Sequence, residues 1–322
     1  MLGSNGSSQD NKLLQNNKFS DGTETDVTMR LRTAPTLSSL LPLFSLTATE
    51  PKIPKGYKTR LFYDDFTSSS LDTSAWKLNK GTSYPGGAPS WGTGETQTYT
   101  DDKSNVYLSD STLSIVPLHS DSDWTSARIE TTPNHDFRCP DGGKLLVEGK
   151  LRLGDAERDS QLGIWPAFWL LGSDYRGDYK NWPEVGEIDI MESSNGEGRA
   201  WGTVHCGDAQ GGPCEEPMGL GGEYPFKRGE WNTLALEIDR SSKPQRITWF
   251  VNDSKSFQVS ENDVGDRKAW KSLCAGPKMV LFNVAVGGAF PDGIAQKSTP
   301  GEKTKEGEKA GMEVDYVAVY KT

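Results

Sequence analysis

The chain has 322 residues, a formal net charge of −10 and 10% aromatic residues, which suffice for a sizeable hydrophobic core. Nucleic-acid binding needs clustered Lys and Arg that displace counterions from phosphates, so the acidic balance argues against a nucleic-acid partner. No segment reaches the roughly 20 apolar residues that cross a bilayer. We therefore expect a globular protein outside the membrane that acts as a monomer on a neutral partner.

The N-terminal segment, residues 1–56, lacks the pattern of a folded domain. Its first 28 residues are polar and without a sustained period, which predicts disorder. From Met29 onward, two arginines precede an apolar run over 37–46 and then small residues, which is the layout of a secretory signal peptide. We predict a signal peptide over 29–48 and one folded domain, large enough for an enzyme, over 57–322. We expect the protein to be secreted and located outside the cell or in the cell wall. The alternative is an amphiphilic tail with no role.

From residue 57 onward, short runs rich in Val, Ile, Thr and aromatic residues alternate with turn residues. Strands of this length and spacing predict an all-β antiparallel sandwich or barrel. Helix is expected only as short connections in "SSLDTSAW" (69–76) and "ENDVGDRKAW" (261–270). The predicted strands are 59–66, 105–109, 112–118, 126–132, 144–153, 231–239, 246–252, 278–286 and 314–320.

Four cysteines agree with export, because disulfides persist in oxidising compartments. Cys206 and Cys214 flank the Gly-rich loop "CGDAQGGPC", which is short enough for a bridge to close. By elimination Cys139 pairs with Cys274, although four cysteines allow three pairings. A zinc site is the rival interpretation, but the close CxxC pairs and nearby histidines of such sites are missing.

The segment "EIDIME" carries three carboxylates, Glu187, Asp189 and Glu192. In a strand, Glu187 and Asp189 share a face, while Glu192 falls on the opposite face because side chains alternate. A β-bulge at Ile190 or Met191 supplies the extra residue that brings Glu192 onto the same face. Because buried charges must be paired or hydrogen-bonded, we expect that face to open onto a wet cleft.

With the bulge, we expect the carboxylates of Glu187 and Glu192 to approach to about 5 or 6 Å, the separation found in retaining glycosidases. In that mechanism one carboxylate attacks the anomeric carbon, and the other protonates the leaving oxygen and later deprotonates a water. Two alternatives remain for the acids alone: a solvated strand face, and a calcium or magnesium site.

Tryptophans surround the acids. Trp165, Trp169, Trp182 and Trp201 lie within 37 residues of one another in the sequence. Sugar rings stack their C–H faces on aromatic rings, so this density favours a carbohydrate cleft. Core packing is the alternative for Trp165 and Trp169, which share one strand face, whereas Trp182 beside a proline in a loop suits a sugar platform better.

"GEIDIMES", preceded by "WPAFWLLG" and followed by "WGTVHCG", resembles glycoside hydrolase family 16 in its laminarinase-like branch, whose acids read ExDxxE. The resemblance extends from "LFYDDF" to "MEVDYVAVY". It implies a β-jelly roll of two antiparallel sheets, the concanavalin A-like lectin/glucanase fold. It also implies that Glu187 is the nucleophile, Glu192 the acid/base, and Asp189 the residue that tunes the nucleophile. The loop "HCGDAQGGPCEE" resembles fungal members.

The resemblance implies roles for other positions. Arg128 matches an arginine that reaches sugars on the glycone side, and His205 a histidine beside the acid/base. Asn283 faces the cleft or satisfies its own backbone. Asp315 matches a calcium ligand of many relatives, so a structural calcium is possible although catalysis requires no cofactor.

The resemblance also implies a secreted endo-hydrolase of β-1,3-linked glucan, with mixed β-1,3/1,4-glucan as a further substrate. Where many relatives have "NNE", this chain has Thr93 and Gly94 in "WGTGETQTY", which leaves glucan and galactan open. A β-1,3-galactanase and a cell-wall transglycosylase are alternatives on the same fold. A non-catalytic glucan-binding lectin is disfavoured, because such relatives have lost the acids that are present here.

Overall fold

The structure is a computed structural model that describes residues 51–121 and 123–322. The predicted signal peptide over 29–48 lies outside the described residues, as does most of the predicted disordered segment. The strands are β1 (Thr59–Asp64), β2 (Trp76–Asn79), β3 (Thr98–Tyr99), β4 (Val106–Ser109), β5 (Thr112–Ile115), β6 (Leu118–Ser120), β7 (Asp123–Ser126), β8 (Arg128–Thr131), β9 (Lys144–Leu153), β10 (Ile164–Gly172), β11 (Glu187–Glu192), β12 (Arg199–His205), β13 (Leu220–Pro225), β14 (Asn232–Asp239), β15 (Arg246–Val251), β16 (Ser254–Ser260), β17 (Lys278–Val286) and β18 (Met312–Lys321).

Most of the strands form two large antiparallel sheets, which confirms the all-β jelly-roll sandwich. The cleft sheet has seven strands in the order β13-β12-β11-β10-β17-β8-β2. The back sheet has the order β16-β15-β14-β9-β18-β5-β4, with β1 paired to β18. A small third sheet joins β3, β7 and β6. Neighbouring strands of the cleft sheet are far apart in sequence, so the sheet brings distant residues together at one site.

The main hydrophobic core lies between the two large sheets. Phe168 and Ile188 come from the cleft sheet, and Val147 and Leu236 come from the back sheet; all four are fully buried in one cluster. Because alternate residues of a strand point to opposite faces, the intervening residues of β10 and β11 point away from this core. They form the other face of the cleft sheet.

The helices are short. α1 (Glu261–Val264) and α2 (Arg267–Cys274) confirm the helical prediction over 261–270, and α3 (Ala289–Ala295) was not predicted. The helical prediction over 69–76 was wrong, because the Asp72 side chain accepts the Ser74 N–H and closes a tight turn that leads directly into β2. No helix in the described part of the chain is long and apolar enough to span a membrane.

Candidate active site

The three acids of β11 share one face of the cleft sheet because the strand carries a bulge. Asp189 lies opposite Thr203 of β12, and Glu192 lies opposite Trp201, so three steps on β11 match two steps on β12. The register against β10 shifts at the same place, between Asp189 and Met191. Glu187, Asp189 and Glu192 therefore all line the same cleft. This confirms the predicted bulge at Ile190 or Met191.

Buried side chains hold the bulge in place. The Tyr224 hydroxyl donates a 2.8 Å hydrogen bond to the Ile190 carbonyl, and Trp249 Nε1 donates one of 2.8 Å to the Asp189 carbonyl. Trp249 reaches across from the back sheet because Gly202 leaves room; a Cβ there would lie 2.3 Å from the indole nitrogen. These donors satisfy buried carbonyls at the bulge, where the regular ladder is disrupted.

Replacing Tyr224 tests this support. We expect Tyr224→Phe to lower the free energy of unfolding by about 1–3 kcal/mol, because the Ile190 carbonyl is left buried without its donor. The control is Tyr107→Phe, since the Tyr107 hydroxyl bonds Glu308 at an exposed position and its loss should cost less than about 0.5 kcal/mol. Denaturant unfolding measures both, and equal losses would contradict a special role for Tyr224.

The cleft on this face has a volume of about 520 Å³. Its floor is formed by β10, β11, β17 and β8, and its walls come from the loops around Tyr84 and Tyr179. The predicted residues that line it are Arg128, Trp165, Trp169, Trp182, Glu187, Asp189, Glu192 and Asn283. His205 lies at its edge, directly opposite Glu187 in the β11–β12 pair.

Burial raises the pKa of all three acids, and the charges of neighbouring acids raise those of Glu187 and Asp189 further. Burial has the largest effect on Glu187 and, with the charge of Glu192, raises its pKa to about 7, while His205 acts in the opposite direction. Burial also raises the pKa of Glu192, against the effects of His205 and of a hydrogen bond from Trp165. The pKa of Asp189 lies well above its usual value because of burial and the charges of both neighbours. The cluster thus holds protons near neutral pH.

His205 provides the positive charge at this cluster. Its ligand atom lies with those of Glu187 and Asp189 within 4.8 Å of one another, and they are the one group of this kind in the described residues. Its Nδ1 lies 2.8 Å from Glu216 Oε2, and its Nε2 lies 3.5 Å from Asp189 Oδ2. Both ring nitrogens thus face carboxylates, which favours the protonated ring.

The tryptophans of β10 have roles beyond a hydrophobic floor. Trp165 Nε1 donates a 2.9 Å hydrogen bond to Glu192 Oε1, which fixes that carboxylate in the cleft. Trp169 Nε1 donates a 2.8 Å bond to Asn283 Oδ1, and Asn283 Nδ2 donates to the Tyr99 hydroxyl. The Asn283 amide therefore hydrogen-bonds neighbouring side chains and not its own backbone.

Arg128 lies buried among aromatic rings. Its guanidinium carbon lies 5.2, 4.5 and 4.7 Å from the ring centroids of Tyr84, Trp91 and Trp169, and Nη2 donates to the Tyr84 hydroxyl. Arg128 is 5% exposed, so it is not a surface charge of its strand. Cation–π contacts of this kind hold the charge in a fixed place, where it can face a neutral, hydroxyl-rich ligand.

Trp182 is the exposed tryptophan of the site. Its side chain is 39% exposed, and its ring centroid lies 5.5 Å from that of His205. A half-exposed ring at the edge of a cleft leaves one face free to stack on a sugar. This position agrees with the platform predicted for it.

The cysteines require one correction. Cys206 and Cys214 form the predicted disulfide, but Cys139 and Cys274 are free and buried. The predicted Cys139–Cys274 bridge was therefore wrong. The Cys139 thiol instead donates to the Ile238 carbonyl of β14 at 3.4 Å, and burial raises its pKa to about 12. The elimination argument assumed that every cysteine of an exported protein pairs.

A thiol titration checks this correction. We expect no reactive thiol in the native protein and two after unfolding without a reductant, because both free cysteines are buried and poorly ionised. Reduction before unfolding should give four, the total in the sequence. No thiol after non-reducing denaturation would restore the Cys139–Cys274 bridge.

Asp315 does not fit the predicted calcium. It occupies the extra position where the register of β18 shifts against β9, and its Oδ2 pairs with Lys150 Nζ at 2.8 Å. The ammonium already neutralises this carboxylate. Asp315 also belongs to no group of three or more His, Cys, Asp or Glu ligand atoms within the described ranges.

Three acids outside "EIDIME" escaped prediction. Glu216 binds His205; Glu130 accepts hydrogen bonds from Tyr84 and Asn79; and Glu95 accepts from Thr93, Gln97 and Tyr99 in the cleft wall. Glu130 is fully buried, and Glu95 and Glu216 nearly so. A signal existed for Glu216 alone, since it lies two positions after Cys214.

Comparison with known proteins decides the family. The catalytic-domain model of the XgeA-like branch of glycoside hydrolase family 16 matches residues 154–217, which include all three acids. An endo-1,3-β-glucanase structure from Streptomyces sioyaensis is 41% identical with a TM-score of 0.79, over 85% of this chain and 99% of that one. This chain belongs to glycoside hydrolase family 16.

Two further relatives set the scale of the similarity. Glucan endo-1,3-β-glucosidase A1 of Niallia circulans is 29% identical over 85% of this chain and 39% of its own length. The β-1,3-glucan-binding protein of Penaeus monodon is 30% identical over 61% of this chain and 63% of its own. The chain thus spans well under half of the Niallia glucanase. The family 16 assignment confirms the laminarinase-like resemblance, and the fungal-type branch stays a prediction.

Proposed function

We propose that the protein is a retaining endo-hydrolase of β-1,3-linked glucan. The observation that carries this proposal is the bulge in β11, which places Glu187 and Glu192 on one face with Asp189 between them. Trp165 hydrogen-bonds Glu192, and His205 places a positive charge beside Asp189. The named activity of the Streptomyces relative supports β-1,3-glucan as the substrate.

In the proposed reaction Glu187 attacks the anomeric carbon as a carboxylate while Glu192 donates its proton to the departing glycosidic oxygen. The C–O bond breaks, the leaving sugar takes the proton, and a covalent glycosyl-enzyme forms. Glu192 then removes a proton from a water that attacks the same carbon, which frees Glu187 and restores the configuration. The active form therefore carries one proton on the Glu187–Glu192 pair.

The surroundings suit this division of roles. Burial, with the charge of Glu192, raises the pKa of Glu187 to about 7, and His205 and Arg128 limit this rise and so favour its ionised form. Burial raises the pKa of Glu192, which favours the proton that an acid must hold. The aromatic walls and the free face of Trp182 suit the C–H faces of a glucan.

The test is an incubation of the protein with laminarin, curdlan, lichenan and β-1,3-galactan. We expect laminarin and curdlan to be shortened internally, with products released first as the β-anomer. Products released as the α-anomer would exclude a covalent intermediate on Glu187. Cleavage of β-1,3-galactan alone would replace the proposed substrate with a galactan.

Two other functions make different predictions. A glucan-binding lectin would bind laminarin without shortening it, yet all three acids are kept in one cleft here. A transglycosylase would form products longer than the supplied oligosaccharide when a labelled acceptor is added. We favour hydrolysis, and the acceptor experiment separates the two.

We also propose that the protein is secreted and acts as a monomer without a cofactor. The Cys206–Cys214 disulfide supports an oxidising compartment. Treatment with EDTA tests the calcium prediction at Asp315: an unchanged melting temperature would agree with the Lys150–Asp315 pair, and a lowered one would point to a bound ion.

A further inference from the structure

Glu216 contacts His205, and its charge also raises the pKa of Glu187 and Asp189. Its Oε2 lies 2.8 Å from His205 Nδ1, and its Oε1 accepts the Cys206 backbone N–H at 2.8 Å. The Glu216 side chain is 6% exposed and is not among the residues that line the cleft. A buried carboxylate with both oxygens engaged in this way holds its partner, and does not meet a substrate.

The loop that carries Glu216 is tied down on both sides. The disulfide between Cys206 and Cys214 closes the loop, and the backbone of Glu216 exchanges two hydrogen bonds with Gly211. His205 directly precedes the first cysteine, at the end of β12. The bridge therefore fixes the distance between the imidazole and the carboxylate that binds it.

Four carboxylates lie around His205. β11 presents Glu187, Asp189 and Glu192, and the loop presents Glu216. The Trp182 ring packs beside the imidazole. Arg128 is a second cation that lowers the pKa of Glu187.

The protonation of His205 follows from these neighbours. Burial lowers the pKa of His205, but the hydrogen bond with Glu216 and the charges of Asp189 and Glu187 outweigh it and raise the pKa to about 10. In the protonated ring both nitrogens are donors, so Nδ1 donates to Glu216 Oε2 and the Nε2 proton faces Asp189 Oδ2 at 3.5 Å.

We propose that Glu216 is a positioning residue for the reaction. It holds His205 as an imidazolium at a fixed place, and that positive charge keeps Glu187 ionised in a buried site crowded with acids. This proposal rests on the proposed function for the role of Glu187. The Cys206–Cys214 loop therefore supports catalysis, although it supplies no group that reacts.

The experiment compares Glu216→Gln with Glu215→Gln, its exposed neighbour, which has no part in the His205 contact. Glutamine keeps the shape of the side chain but removes its charge. The imidazole of His205 is followed by nitrogen NMR, with a His205→Gln sample to assign its signal among the three histidines. Rates on laminarin are measured from pH 4 to 10.

In Glu216→Gln we expect the pKa of His205 to fall by about three units or more, into the range where Glu187 titrates, because an ion pair becomes a neutral contact. Loss of the His205 charge raises the pKa of Glu187 by more than loss of the Glu216 charge lowers it, so the acid limb of kcat/KM should move to higher pH by about one unit. KM should change less than about twofold, because Glu216 does not reach the cleft. Glu215→Gln should match the wild type in every measurement.

Three results would overturn the proposal. One is a wild-type His205 that titrates near pH 6.5, which needs no variant and no activity. Another is a Glu216→Gln protein whose His205 pKa falls to that of Glu187 or below while its pH profile stays in place. If Glu216→Gln fails to fold, wild-type protein with its disulfide reduced serves instead, and an unmoved acid limb there counts against the proposal. Failure of the proposed function appears separately, as a wild type that cleaves none of the four polysaccharides.

Discussion

Glu187→Gln should reduce kcat on laminarin by about 10⁴-fold or more, the equivalent of at least about 5 kcal/mol of transition-state stabilisation. Glutamine fills the same space on β11 but cannot attack the anomeric carbon, so the covalent route is lost. KM should change little, since the cleft keeps its tryptophans and Arg128. Steady-state rates on laminarin, with Glu184→Gln as the control, measure the effect; Glu184 lies three residues earlier and is exposed.

Azide identifies the role of Glu187 more sharply than the rate does. A smaller variant, Glu187→Ala, leaves a space beside the anomeric carbon that a small anion can enter. Azide should then restore part of the activity on an activated aryl glycoside and yield the α-glycosyl azide, because it attacks from the side that Glu187 occupied. A β-glycosyl azide from this variant would assign the nucleophile to another residue.

The same Glu187→Gln variant should be more stable than the wild type above neutral pH. The folded pKa of about 7 exceeds the unfolded value, so deprotonation disfavours the folded state as pH rises between the two. The destabilisation is complete above pH 7 and absent near pH 4. We expect Glu187→Gln to gain roughly 1–3 kcal/mol at pH 8 and to show no gain at pH 4. Equal gains at both pH values would show that the charge of Glu187 is not the cause.

The sequence predicted the centre of the site because its information there is local. The period of two in a strand, three acids at unequal spacing and the cost of burying charge together required a bulge at Ile190 or Met191. Each of these arguments concerns six consecutive residues. The strand prediction succeeded for the same reason, since β9 and β17 are each one continuous run of ten and nine residues.

The supporting residues escaped prediction because their partners are distant. Tyr224 and Trp249 reach the bulge from 34 and 60 residues away, and Trp249 arrives from the other sheet. In the sequence, Glu130 has the pattern of an ordinary charged residue on a strand. The hydrogen bonds that it accepts from Tyr84 and Asn79 come from residues distant in the chain. The wrong Cys139–Cys274 bridge has the same origin: pairing by elimination contains no geometry, whereas the sequence separation of 8 between Cys206 and Cys214 already restricts their distance.

Glu192→Gln should divide substrates by their leaving groups. On laminarin, whose leaving sugar needs a proton, kcat/KM should fall by about 10²–10⁴-fold, the usual contribution of a general acid. On an aryl glycoside with an acidic phenol, the first step needs no proton and the loss in kcat/KM should be within about tenfold. Equal losses on both substrates would mean that Glu192 is not the acid.

The pH profile of Glu192→Gln gives an independent check. In the wild type, activity falls at alkaline pH as the Glu187–Glu192 pair loses its last proton. Because burial raises the pKa of Glu192, this limb should lie above the usual range of a carboxyl group. In the variant the alkaline limb should disappear on the aryl glycoside. The acid limb should move to lower pH, since the charge of Glu192 no longer raises the pKa of Glu187.

Azide should also act on Glu192→Ala, but with the opposite stereochemistry. Here Glu187 still forms the covalent intermediate, so azide attacks from the other side and gives the β-glycosyl azide. The α-azide from Glu187→Ala and the β-azide from Glu192→Ala together assign the two roles without reference to rate. If both variants gave the same anomer, the two carboxylates would not act in sequence at one carbon. The one-residue bulge in β11 would then have to be explained by packing alone.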